Sequence, residues 1–317
     1  MTLSICETCG SPINRGSEAC ENCGEAAPPR GDIRRLPHEV VLSFLEHAEE
    51  LLESSPLRQA VLAFLAGSFI AFGAVLSVAL TTGVETIGFS RLLLGLGFSA
   101  GFVLVILSGS ALFTEINVLL PEMFLSRPRD LCRRCWRFWV IVYLGNAAGA
   151  LFVGTVIKGA HLLGGPQETR LFEILREKME FRELGAEGWF AVLLSAILGN
   201  WLVGMAAFLA TAARTVSGKI LGVMFPIIAF VAIGLQHSPA NMGYFSVGLI
   251  NGGSGIGWGE ALLWNILPAS LGNIIGGAGL VALLFWYTYG RRPQQRQGLK
   301  QVGQSLRQRQ ERAENQG

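Results

Sequence analysis

Gly234-Leu235-Gln236-His237-Ser238-Pro239-Ala240-Asn241 sits inside a run of 40 residues, 220 to 259, that holds no Asp, Glu, Lys or Arg. Forty residues are too many for one straight membrane helix, which needs about 20, and too few for two spans with a turn. The run therefore reads as a single broken span whose small, polar, proline-containing middle is the break. Its exposed backbone groups must be covered by protein or face a water-filled cavity, because lipid satisfies none of them.

Working outward, five further gaps free of charge run from 59 to 84, 92 to 114, 138 to 157, 188 to 213 and 261 to 290. Each is long enough to cross a bilayer at about 1.5 Å per residue. The composition agrees: 15% of residues are charged and 51% are hydrophobic, where soluble chains carry roughly 25% charged residues. With 25 Lys+Arg against 23 Asp+Glu, no excess of positive charge points to a nucleic-acid partner. Of the basic residues from Arg30 onward, 18 fall on the side of the termini and 6 on the other. The positive-inside rule then predicts a multi-pass protein of the cell (inner) membrane with both termini cytoplasmic. The opening Met1 to Cys6 lacks the basic stretch and apolar core of a signal peptide.

The gaps also repeat. Leu144-Gly145-Asn146-Ala147-Ala148-Gly149 returns as Leu271-Gly272-Asn273-Ile274-Ile275-Gly276, 127 residues later, and the same offset carries Thr114 onto Asn241. Three spans per half reverse the second half relative to the first, so the expected fold is all-α, six transmembrane helices in a 3+3 inverted repeat. Helices two and five are both interrupted, at 108 to 114 and 234 to 241. The Gly-x-x-x-Gly pairs Gly97/Gly101, Gly145/Gly149 and Gly272/Gly276 read as sites of close helix packing.

Outside the spans, Cys6-Glu7-Thr8-Cys9-Gly10 and Cys20-Glu21-Asn22-Cys23-Gly24 are two C-x-x-C-G knuckles. Four thiolates at this spacing predict a structural zinc in a ribbon over 1–27, with two disulfides or uncoordinated thiols as the alternatives. Cys132 and Cys135 read as two ordinary cysteines. Residues 28–56 are expected to form a linker, from Pro28, and an amphipathic surface helix with Val40, Phe44, Ala48 and Leu51 on one face. A second surface helix is expected over Thr169 to Glu183. The transport domain spans 57–290, and the tail over 291–317 reads as basic and disordered.

Several of these residues, taken in order, resemble the formate/nitrite transporter family. They are Leu112-Phe113-Thr114, Asn200-Trp201-Leu202-Val203, Lys219-Ile220-Leu221, Phe225-Pro226-Ile227-Ile228-Ala229-Phe230-Val231-Ala232, His237-Ser238, Ala240-Asn241-Met242 and Gly272-Asn273-Ile274-Ile275-Gly276-Gly277. The resemblance covers about residues 37 to 290 and excludes the ribbon. It implies an aquaporin-like fold, a homo-pentamer with one pore per protomer, and passage of small monovalent anions or their conjugate acids. It also implies roles for residues: Phe98 and Phe230 as apolar constrictions, Leu112 to Thr114 as the break in span two, His237 at the centre of the pore, and Asn200 and Asn241 as its polar companions.

His237 is the sole histidine within the charge-free gaps, and an ionisable group at that depth needs a pathway or a partner. A dry phenylalanine ring penalises an ion far more than a neutral acid, and a proton or hydrogen bond from His237 lowers that barrier. Three positions depart from the family pattern. Leu184 stands sixteen residues before Asn200 where a lysine is usual, with Arg182 and Lys178 nearby but out of register. Gln236 replaces a glutamate before the histidine, and Glu115 follows Thr114, where it is expected to pair with His237 or repel anions. The spans hold no nucleophile beside a base and no cluster of carboxylates, so no enzyme is expected. The competing reading is a zinc-dependent membrane sensor or scaffold without transport.

Overall fold

The computed structural model describes residues 4–5, 9, 12–13, 20, 22–24, 34–126 and 130–289. Cys6, the Pro28 linker, Arg127, Arg129 and the tail from Arg291 lie outside the described residues. The chain forms two compact units, Met1–Arg35 and Leu36–Gly317. In the first, β1 (Ser4–Ile5) pairs antiparallel with β2 (Pro12–Ile13).

The second unit is helical. It opens with α1 (Pro37–Glu53), whose Val40, Val41, Phe44, Ala48, Leu51 and Leu52 are buried, an apolar stripe at helical spacing. Glu39 reaches back to accept from the Leu36 N–H at 2.6 Å and caps the helix. The corner into α2 (Pro56–Thr81) is closed by Ser55, whose Oγ accepts from the Arg58 N–H. Buried Gln59 donates from Nε2 to the carbonyls of Leu51 and Ser54, satisfying groups that the end of α1 leaves open.

Six helices are long and apolar enough to cross a membrane. They are α2, α3 (Ile87–Ser108), α5 (Asp130–Gly159), α7 (Ala186–Ala212), α8 (Val216–Ile233) and α10 (Trp258–Tyr289), the last containing two π-helical stretches, Leu262–Ile266 and Gly276–Leu283. Two half-helices complete the bundle, α4 (Phe113–Ser126) and α9 (Ser238–Asn251). The described residues between the second and third charge-free gaps are thus helical: α4 continues the second span past Glu115, where the charge-free gap ends. Charge alone ended that gap too early.

The inverted repeat is explicit in the packing. α2 lies against α5 and α3, and its counterpart α7 against α10 and α8. Each half-helix crosses into the other half: α9 packs on α5 and α2, and α4 on α10 and α7. Tyr143 and Ser270 are 127 residues apart, and their hydroxyls hydrogen-bond to each other at 3.0 Å. Repeat-equivalent residues touch in this way only beside the pseudo-twofold axis.

The remaining helix, α6 (Gly165–Met179), is followed by a 3₁₀ turn, Glu180–Leu184. It starts four residues earlier than the surface helix expected from the sequence, with Pro166 in its first turn, and it ends at Met179. Its buried face is Leu171, Ile174, Leu175 and Met179.

Candidate functional site

Both broken spans stop for the same reason. Gly109 (φ 66°) and Gly234 (φ 86°) take the left-handed conformation at the ends of α3 and α8, where a side chain is costly. The next residue then donates back five positions, Ser110 to Val105 and Leu235 to Phe230. After each cap a short stretch without helix, 110–112 or 235–237, leads into the half-helix.

The repeated Leu-Gly-Asn motif fixes these restarts. Asn146 Oδ1 accepts from the Phe113 N–H at 2.8 Å, and its Nδ2 donates to the carbonyls of Ala63 and Ala111. Asn273 does the same in the other half, accepting from the Ser238 N–H at 2.8 Å and donating to Ala196 and Gln236. The glycine three residues on permits the approach. A Cβ at Gly149 would strike the Phe64 carbonyl, and one at Gly276 the Ile197 carbonyl. The sequence signalled both motifs as helix packing; the role of each asparagine as a three-way tie was not read from it.

The two half-helices point their N-termini at one another, and Thr114 Oγ1 meets His237 Nε2 at 2.8 Å where they converge. His237 caps α9: its Nδ1 accepts from the Ala240 N–H at 3.1 Å. With Nδ1 acting as an acceptor, the ring proton sits on Nε2 and is donated to Thr114. Two helix N-termini aimed at one spot also present positive partial charge there, which favours an anion.

On the α6 side of His237 lies an aromatic plug. Phe98 and Phe230, both fully buried, are 5.8 Å apart by ring centroid. Phe102, one turn beyond Phe98, stands 5.4 Å from the His237 ring, and Phe230 5.5 Å from it. Phe98, Phe102 and Phe230 therefore pack as one aromatic cluster against His237. Leu112 is buried in the same cluster and its carbonyl accepts from the Glu115 and Ile116 N–H groups in the first turn of α4.

Beside this cluster opens a vestibule of about 570 Å³, lined by Phe98, Phe230 and Tyr244 and by the charged residues Glu85, Arg91, Arg170, Glu177, Lys178 and Glu180. Lys178 is partly buried, donating to Asn241 Oδ1 at 2.7 Å and lying 5.3 Å from the Tyr244 ring centroid. Burial pulls its ammonium down to about 8, with Glu177 opposing the shift. Asn241 Nδ2 donates in turn to Gln236 Oε1 and Asn265 Oδ1, and Asn265 Nδ2 to the Lys178 carbonyl. Gln236 thus serves as an acceptor in a network that needs no carboxylate.

This corrects the register expected from the sequence. Leu184 is 57% exposed, whereas Lys178, six residues earlier, reaches Asn241. The end of α6 and the 3₁₀ turn lie between Lys178 and α7, so spacing along the chain does not measure position in the fold. Glu115 also departs from expectation. Both His237 nitrogens are engaged elsewhere, and the half-buried Glu115 carboxylate makes no hydrogen bond or ion pair among the described residues. Asn200 binds the backbone carbonyls of Asn273 and Thr114, supporting the break from behind, and its Oδ1 is buried without a hydrogen-bond partner.

Comparison with known proteins agrees with this architecture. Residues 38–287 match the family described as formate/nitrite transporter. A probable formate transporter of Methanothermobacter thermautotrophicus is 37% identical over 255 residues, covering 76% of this chain and 92% of that protein. Two solved structures share the fold. One, an FNT family ion channel, superposes with a TM-score of 0.70 at 24% identity, covering 79% of this chain and 98% of the other. The second, a pentameric formate channel with formate bound, gives 0.63 at 23%, covering 74% and 98%.

Proposed function

Because the chain belongs to the formate/nitrite transporter family, we propose that it is a membrane channel passing formate, nitrite or a similar small monovalent anion, or the conjugate acid. The observation that carries this reading is a single line of groups: a polar vestibule into which Lys178 reaches, a phenylalanine plug, and the Nε2–H of His237 beside Thr114 behind it. The relative named as a probable formate transporter and the solved formate channel support the substrate class. The latter's pentameric state supports a homo-pentamer here, and the distribution of Lys and Arg supports an inner-membrane protein with both termini in the cytoplasm. A sensor or scaffold has no use for such a line of groups.

In the proposed mechanism, Lys178 and Arg91 draw monoanions into the vestibule, while Arg170 is held by Glu173 and Glu177. The Phe98–Phe230 plug excludes water and hydrated ions. Beyond it, His237 offers a hydrogen bond rather than a second proton, because protonating Nδ1 breaks the cap on α9. Crossing the plug is then easiest for the protonated acid, or for an anion that takes the Nε2–H in place of Thr114. Flux into proteoliposomes tests the reading: formate and nitrite are expected to enter and sulfate is not. Absence of flux for every monoanion leaves the sensor or scaffold reading.

Lys178→Met gives a sharper test of the vestibule. At pH 6 formate flux is expected to fall on the order of tenfold, the scale of electrostatic focusing in a charged cleft. Lys178 is charged below about pH 8 and neutral above it, so the ratio of wild-type to variant flux should shrink toward one above pH 8. Taking the ratio cancels the titration of formate itself. A ratio that stays constant from pH 6 to 9 would show that the ammonium charge does not act on the permeant.

A further inference from the structure

We propose that the amino-terminal unit is a zinc site built on Cys9, Cys20 and Cys23, with Cys6 as the fourth ligand that the C-x-x-C spacing supplies. The Sγ atoms of Cys9, Cys20 and Cys23 all lie within 4.8 Å of one another. Cys9 and Cys20 approach to 3.6 Å, close to the separation of about 3.8 Å that two thiolates take on one tetrahedral zinc with Zn–S bonds of about 2.3 Å. Three sulfurs drawn to one point, from two knuckles separated by ten residues of sequence, describe one shared ligand rather than two independent pairs.

The local backbone fits the same ligand. β1 and β2 bracket the first knuckle. At the second, the Gly24 N–H donates to the Cys20 carbonyl and Gly24 takes a positive φ of 75°, a conformation in which glycine costs least. That turn folds the chain beneath the two thiolates.

Energetics also favour a metal. Two strands of two residues each cannot hold a fold, and Cys20 is the one buried side chain among those described in this unit. A unit of about 35 residues is too small to be held by an apolar core alone, so a staple is expected to stabilise it. The ligand class is a thiophilic, tetrahedral cation, for which zinc is the chemical match.

The test uses the full-length protein in detergent, purified without a metal-affinity step. Elemental analysis is expected to give about one zinc per chain, and titration with a mercurial is expected to release that zinc as four thiols react. Cys20→Ser with Cys23→Ser is expected to abolish the zinc and leave formate flux and oligomeric state unchanged. Zinc absent from the wild type, or retained in the double variant, overturns the proposal, as does mass spectrometry showing two disulfides in protein purified under reducing conditions. Because flux is read separately, loss of this site and loss of the channel reading are distinguishable.

Discussion

Asn273→Leu is expected to destabilise the bundle more than any other single substitution at the site, and Asn146→Leu to do so nearly as much. Each removes an acceptor for the first N–H of a half-helix and a donor shared by two backbone carbonyls. Leucine is close in size but leaves the half-helix N–H and the loop carbonyl (Phe113 and Ala111, or Ser238 and Gln236) buried and unpaired, at roughly 1–3 kcal/mol each, whereas the Ala63 and Ala196 carbonyls keep their own helical partners. Transmembrane hydrogen bonds often measure weaker than this, because other partners are found in the unfolded state. Here both groups belong to or adjoin a break in the helix and have no alternative within it, so a total on the order of 4 kcal/mol is expected. The check is thermal unfolding in detergent followed by loss of the assembled species. Both leucine variants melting within 2 °C of wild type would show that the asparagines do not hold the breaks. The symmetry supplies an internal control, since the two variants should behave alike although they lie 127 residues apart.

The second large effect falls on transport. His237→Ala is expected to reduce formate flux by about 100-fold, since the loss of a hydrogen bond to a charged permeant in a dry passage costs about 1.5–3 kcal/mol and the α9 cap is lost with it. His237→Asn separates two roles. Asparagine caps a helix well and retains an N–H donor, but it does not titrate near neutrality. If His237 acts as a hydrogen-bond donor, the asparagine variant should keep a substantial part of the flux and the wild-type pH profile. If it acts as an acid, the asparagine variant should be as inactive as alanine. Proteoliposome flux measured from pH 5 to 8 for the three proteins decides between them, and equal rates in all three would remove His237 from the pathway.

Much of this was readable beforehand because a bilayer imposes simple constraints. Spans must be long and apolar, so the absence of charge marked α2, α5, α7 and α10 without reference to any neighbour. The break in the fifth span followed from arithmetic on 40 residues, and the inverted repeat from an odd number of spans per half. The same method failed at α4, since a carboxylate inside a half-helix looks like the end of a span when only charge is counted. Glu115 sits there at little cost to the pattern because it lies beside an interior break rather than facing lipid.

What the chain determined by itself is therefore local: where helices run, where glycine stops them, which segments carry paired thiols and which histidine lies at depth. Each rests on properties of one residue or one short window. The site was decided by tertiary structure, because it is assembled from elements far apart in sequence. Thr114 and His237 come from opposite halves, Lys178 arrives from a helix outside the spans to meet Asn241, and Phe98 of α3 packs edge-on against Phe230 of α8. The tautomer of His237 was likewise beyond the sequence, since it depends on which backbone N–H occupies Nδ1. Separation along a chain does not fix distance once it folds back, and hydrogen-bond direction is set by the partners that packing brings within reach.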